Sequence, residues 1–213
     1  MRRFIAMAGI ALASIFVGAL AAAPAPTPLD RFLDGLTTLR AEFSQQLVDA
    51  RGVTVQEATG RLVVQRPGRF RWELEPKGAE GGQLMVADGR NLWFYDRDLD
   101  QVDVKPADAV LTATPAMLLS GTGDIRTAFA VESLPRADGL DWVAVTPRTS
   151  NADFVDAKFG FAGRELKEMV LHDKLGQTAT LVFGRTARNG PVDAAELRFT
   201  PPPGADVIGT PSP

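Results

Sequence analysis

Cysteine is absent from this chain, and its 213 residues include one histidine and one tyrosine. Without cysteine there are no disulfides, thiolate metal ligands or cysteine nucleophiles, and no N-terminal cysteine to take a lipid anchor. A single histidine rules out metal sites built from several imidazoles. An excess of positive charge is also missing. Lysine and arginine number 23 against 26 acids, a formal charge of −3. Phosphate recognition needs the reverse balance, so no nucleic-acid partner is expected. With 45% apolar and 23% charged residues the chain is not a disordered one. Its length suits one large or two small domains, and all-β domains of this size are common.

The start has its own composition. Met1-Arg2-Arg3 is followed by an apolar run from Phe4 to Leu20 and then by Ala21, Ala22 and Ala23. A positive start, a greasy middle and small residues at the end make a secretory signal peptide. We place cleavage after Ala21, because a cut after Ala23 would put Pro24 behind the scissile bond. An uncleaved anchor is the alternative, although the apolar run is at the short limit for spanning a bilayer. Residues 1–21 are thus read as signal peptide, 22–28 as an extended leader and 29–213 as one exported domain.

Leu29, Phe32, Leu33, Leu36, Leu39 and Phe43 recur at helical spacing and predict a short amphipathic helix. The period then changes to two. Apolar-polar alternation predicts strands near 41–49, 53–66, 69–75, 83–87, 91–96, 101–105, 127–134, 140–146, 154–161, 165–172, 177–185 and 194–200, joined at Gly- and Asp-rich turns. Segment 106–123, with Pro106, Pro115 and Gly121, interrupts them with one or two short helices. Short strands joined by hairpins favour an antiparallel sheet, a sandwich or a barrel.

Residues two apart share a strand face. Leu62, Val64 and Arg66 therefore lie together, as do Phe70, Trp72 and Leu74; Ala157, Phe159 and Phe161; and Leu181 and Phe183. One apolar face per strand implies a sheet with one buried side. Two helical pieces are little cover for so many strands. Either the sheet curls and fills its interior with side chains, or it curls around a cavity under helical lids.

Chemistry is hard to find. His172 stands alone beside a turn and reads as a surface residue. Ser120-Gly121-Thr122-Gly123 lacks the lysine that completes a phosphate loop, and no Gly-x-Ser-x-Gly elbow occurs. Asp96-Arg97-Asp98-Leu99-Asp100 lacks calcium-loop spacing and reads as a hairpin tip. Arg61, Arg66, Arg69 and Arg71 gather on one hairpin, either as a solvated surface or as a docking patch for an acidic partner or lipid headgroups.

Several segments do carry a resemblance. They are Phe43-Ser44-Gln45; Gly60-Arg61-Leu62 through Arg66-Pro67-Gly68-Arg69-Phe70-Arg71-Trp72-Glu73; Asp88-Gly89-Arg90-Asn91-Leu92-Trp93-Phe94-Tyr95; Thr114-Pro115-Ala116-Met117-Leu118-Leu119; and Val192-Asp193-Ala194-Ala195-Glu196-Leu197-Arg198-Phe199-Thr200-Pro201 with the segment that follows to Val207. In this order they resemble the periplasmic outer-membrane lipoprotein carriers, the LolA family. The related receptor family, LolB, is itself lipidated, which a chain without cysteine cannot be.

The resemblance implies a mainly β fold: an incomplete, unclosed antiparallel barrel of about eleven strands, with the N-terminal helix and the 106–123 helices forming a lid over a hydrophobic cavity. It also implies a monomeric chaperone without enzyme activity or cofactor. Such a carrier takes acylated lipoproteins from an inner-membrane ABC transporter and delivers them to an outer-membrane receptor. Candidate acyl-lining residues are Leu33 and Leu36; Phe43, Leu62 and Val64; Phe70 and Trp72; Leu84 and Phe94; Met117 and Leu118; and Phe159, Met169 and Phe183. The resemblance makes Arg66 the lid gate, and strand parity places it on the inward face. The alternative is an adaptor of the same fold that senses lipoproteins or peptides without shuttling them.

Overall fold

The computed structural model describes residues 25–78, 81–107, 115–121, 125–150, 152 and 154–212, and of 115–117 the backbone only. The signal-peptide segment, the first three residues of the leader and parts of the lid segment lie outside these residues.

Helical spacing ends early. Helix α1 is only Pro28–Leu33. Thr27 caps it in a reciprocal box with Asp30, and Pro28 sits where a missing N–H costs nothing. Gly35, at φ +63°, turns the chain out, and strand β1 (Thr38–Val48) begins soon after. The expected helical stripe to Leu39 and Phe43 is therefore corrected. A spacing of four fits a strand face as well as a helix face, and Leu39, Ala41 and Phe43 are the buried side of β1.

Five strands follow as hairpins: β2 (Thr54–Gln65), β3 (Arg69–Pro76), β4 (Gln83–Asp88), β5 (Asn91–Asp96) and β6 (Gln101–Pro106). Two short helices, α2 (Pro115–Ser120) and α3 (Ile125–Ala128), lead to β7 (Phe129–Ser133), β8 (Asp141–Pro147), β9 (Phe154–Ala162), β10 (Glu165–Asp173) and β11 (Thr178–Arg188). The strand expected at 194–200 is absent. A 3₁₀ turn at Ala194–Leu197 replaces it, capped by the Asp193 side chain, and prolines 201–203 lack the N–H groups a ladder needs. The last strand is β12 (Asp206–Ile208), parallel to β6.

All twelve strands form one sheet in the order β12-β6-β5-β4-β3-β2-β1-β11-β10-β9-β8-β7. β12 and β7 end it without pairing to each other, so the barrel is unclosed. The three-residue β12 brings the count just above the eleven or so implied by the resemblance. One buried cluster takes residues from α1, β1–β5, α2 and β7–β11, so the sheet wraps around a common interior. A second cluster, Leu84, Val86, Trp93, Val102 and Val104, lies on the opposite face of β4–β6, against Phe199 and Ala205 of the C-terminal segment. That part of the sheet is thus covered on both sides.

Candidate functional site

The inner face gathers most of the residues expected there. Leu36, Phe43, Leu62, Val64, Phe70, Leu118, Phe159, Met169 and Phe183 belong to the interior cluster, with Leu33 and Trp72 packed against it. Phe94 pairs across the ladder with the inward Met85 and is half-buried on the Leu92 side of β5. Met117 lies on α2, but its side chain is outside the described atoms. Leu84 is a correction. It faces outward into the second cluster, while its neighbours Met85 and Ala87 face inward. β4 is apolar on both faces, so its pattern does not reveal the parity.

Four of these side chains line no open space. Leu62, Val64, Phe70 and Phe159 are 0% exposed, so none of them borders a space that admits water. Phe32 of α1, absent from the expected lining, is 1% exposed and meets the ring of Phe161 at 5.4 Å. Phe43 lies 4.5 Å from Trp72 and 5.9 Å from Phe183. The interior is plugged by a short helix and by its own aromatic rings.

How α1 is held is the main feature of the site. Six residues cannot sustain a helix in water, so its docking depends on contacts from outside it. Its C-terminal carbonyls meet arginines from three different elements. Arg188, the last residue of β11, donates Nη1 to the Phe32 carbonyl at 2.8 Å, with its guanidinium carbon 4.8 Å from the Phe32 ring centre. Arg66, just past β2, donates Nη1 to the Leu33 carbonyl at 2.9 Å. Arg164, in the β9–β10 turn, donates to the Asp34 carbonyl at 2.8 Å. Cations here complement the negative end of the helix dipole.

At the other end Asp30 takes two bonds of 2.7 Å from Arg126 of α3, which ties α1 to α3. That pairing holds the Asp30 carboxyl well below the usual carboxylate range despite the opposing effect of burial. Burial pushes the pKa of both Arg66 and Arg188 down, the mark of guanidiniums drawn partly out of water. The Gly68 N–H donates to the Ser120 carbonyl at 2.9 Å, and a Cβ on Gly121 would collide with the Arg66 guanidinium. Arg66 therefore lies between α1 and the end of α2. Strand parity finds Arg66. Arg126, Arg164 and Arg188 carry no local signal, because the groups they hold are distant in sequence.

Two of the four arginines on the basic hairpin share one carboxylate. Arg61 and Arg71 both bond Glu73, at 2.7 and 2.6 Å. Burial pushes the Glu73 carboxyl up, and the two guanidiniums outweigh it and leave the pKa below its ordinary value. Outward-facing side chains here, among them Glu42, Thr59, Arg61 and Glu75, line a depression of about 640 Å³. Phe43 and Val182 border it as well, beside the carboxylates of Glu42, Glu73 and Glu75. His172 bonds Asp156 at 2.9 Å. Asp96 accepts from the Asp98 and Leu99 N–H groups as a hairpin tip does. Among the described residues no group of three His, Asp or Glu is placed to hold a metal, and no helix is long and apolar enough to cross a membrane.

Residues 34–200 match the family described as outer membrane lipoprotein carrier protein LolA. The outer-membrane lipoprotein carrier protein of Dechloromonas aromatica is 39% identical over 190 residues, 89% of this chain and 90% of that one. Its counterpart in Methylobacillus flagellatus is 35% identical over 207 residues, 97% and 99% of the two chains. In fold, the chain is similar to an uncharacterized conserved protein from Thermus thermophilus, with TM-score 0.50 and 19% identity over 85% of this chain and 96% of that one.

Proposed function

This chain belongs to the outer membrane lipoprotein carrier (LolA) family, and from that premise we propose that it shelters the acyl chains of lipoproteins in the space now plugged by α1. It is a carrier and not an enzyme. The observation that supports this most directly is an apolar interior stoppered by a six-residue helix whose C-terminal end and Asp30 are fixed by arginines of other elements. Displacing the helix exchanges one apolar occupant for another, and no bond is made or broken.

The energetics suit transport. Each buried methylene is worth about 0.8 kcal/mol, so three chains of roughly fifteen carbons carry on the order of 30 kcal/mol against exposure to water. The docked helix offsets part of that gain, because Phe32 and Leu29 must leave the interior before cargo enters. The carrier then holds cargo firmly enough to keep it from water and loosely enough to pass it on. Its donor would be an inner-membrane ABC transporter and its acceptor an outer-membrane receptor, with the carrier working as a monomer in the periplasm between them.

Purified protein incubated with lipoprotein-loaded inner-membrane vesicles and their transporter tests this. Stoichiometric release of lipoprotein into a soluble complex, with the lipid mass unchanged, is the expected result. Binding without extraction would identify a sensing adaptor instead. A changed lipid mass would identify a hydrolase.

A further inference from the structure

We propose that Arg66 and Arg188 form the polar end of the cargo site: when α1 leaves the interior, the guanidiniums that hold the Leu33 and Phe32 carbonyls take the ester and amide carbonyls through which acyl chains join a lipoprotein. This rests on the carrier reading and adds to it a second recognition chemistry beside greasiness.

The geometry is specific. The two arginines bond consecutive backbone carbonyls, at 2.9 and 2.8 Å, so their donors converge within one helical turn. They flank the start of β1 from either side, since Leu39 pairs with Arg188 on β11 and with Val64, two residues before Arg66, on β2. Both sit where the apolar interior meets the rim. Leu62 and Val64 continue inward from Arg66, and the Phe32 ring lies under Arg188.

A guanidinium has five N–H donors and no acceptor, and it stays charged in proteins. Partly buried and stripped of its carbonyl, it would be costly. Departure of α1 removes both carbonyls at once. An acyl chain that replaces Phe32 in the interior carries its own carbonyl at its head, just outside the apolar part. The exchange is carbonyl for carbonyl. Arg164 and Arg126 hold α1 from more exposed positions, where water can stand in for the departed helix, so the specificity belongs to the two more buried donors.

The probes are two synthetic lipopeptides with equal chain lengths, one with ester-linked chains and one with the same chains linked as ethers. An ether keeps the apolar surface and lacks the carbonyl. Recognition by greasiness alone makes the ether form bind equally or more tightly. Charge-assisted hydrogen bonds make the ester form bind at least about tenfold more tightly. We expect that preference in the wild type, and its fall toward unity in Arg66→Met and Arg188→Met. Equal binding of both probes by the wild type overturns the proposal and leaves the carrier reading standing. Failure of the wild type to bind either probe overturns the carrier reading itself. The wild-type ratio decides even if a variant does not fold.

Discussion

Gly121 shows how far one missing methyl reaches. Its φ of +72° already favours glycine, and any Cβ there would push into the Arg66 guanidinium. Gly121→Val is expected to displace Arg66 from the Leu33 carbonyl and to speed hydrogen exchange of the α1 amides at least about tenfold, while β9 and β10 amides keep wild-type protection. Unchanged α1 exchange would show that Arg66 does not hold the helix. Thr27→Ala removes the N-cap at the other end and is expected to destabilise docked α1 by about 1 kcal/mol.

Asp30 sets the acid response. Its folded pKa lies below its unfolded value, so its stabilisation is complete above the ordinary carboxylate pKa of about 4 and is lost as pH falls through the lower folded value. The α1–α3 tie should therefore hold steady from about pH 5 to 8 and loosen only in strong acid. Exchange of α1 amides against pH checks this, and Asp30→Asn should flatten the acid limb while raising the plateau rate.

At the scale of elements, the C-terminal segment does the work that a second layer of helices would do elsewhere. β12 covers the edge of β6, the Ser212 backbone trades two hydrogen bonds with Asn91, and Phe199 packs against both Trp93 and Tyr95. Ending the chain at Pro203 uncovers Val102 and Val104 and exposes a sheet edge. A fall in Tm of roughly 5–10 °C is expected, which corresponds to a loss of a few kcal/mol. A Tm within a degree of wild type would show that the segment merely lies on the sheet. At the opposite edge β7 is short and ends in the exposed Glu132 and Ser133, a form that discourages pairing with another chain.

Over the whole molecule, stability and function draw on different parts of one core. Phe159 is fixed in the sheet and Phe32 rides on a helix that must leave. Phe159→Ala should lower global stability by about 3–5 kcal/mol. Phe32→Ala should lower it by much less, because a docked terminal element opens locally below the global unfolding free energy. Denaturant melts of the two variants separate these outcomes. A cysteine-free chain also accepts spin labels cleanly. With labels at Arg31→Cys on α1 and Val182→Cys on β11, lipoprotein loading should shift the measured distance by several ångströms. An identical distance with and without cargo would show that α1 stays in place.

The sequence by itself determined the β architecture, most turn positions and the inward set on β2, β3, β9 and β11. Strict alternation leaves only one way to bury a face, and the ordered motifs around Arg66-Pro67 and Asp88-Gly89 placed the chain beside its family. Parity failed on β4, which is apolar on both sides, and at Leu39 and Phe43, whose spacing fits either period. Only the tertiary structure decided that Phe32 of α1 packs into the interior, and that three arginines besides Arg66 hold the helix. Those contacts join a helix at the start of the chain to elements about 30 to 160 residues away, mostly through backbone carbonyls, which every residue possesses and which leave no mark in a sequence.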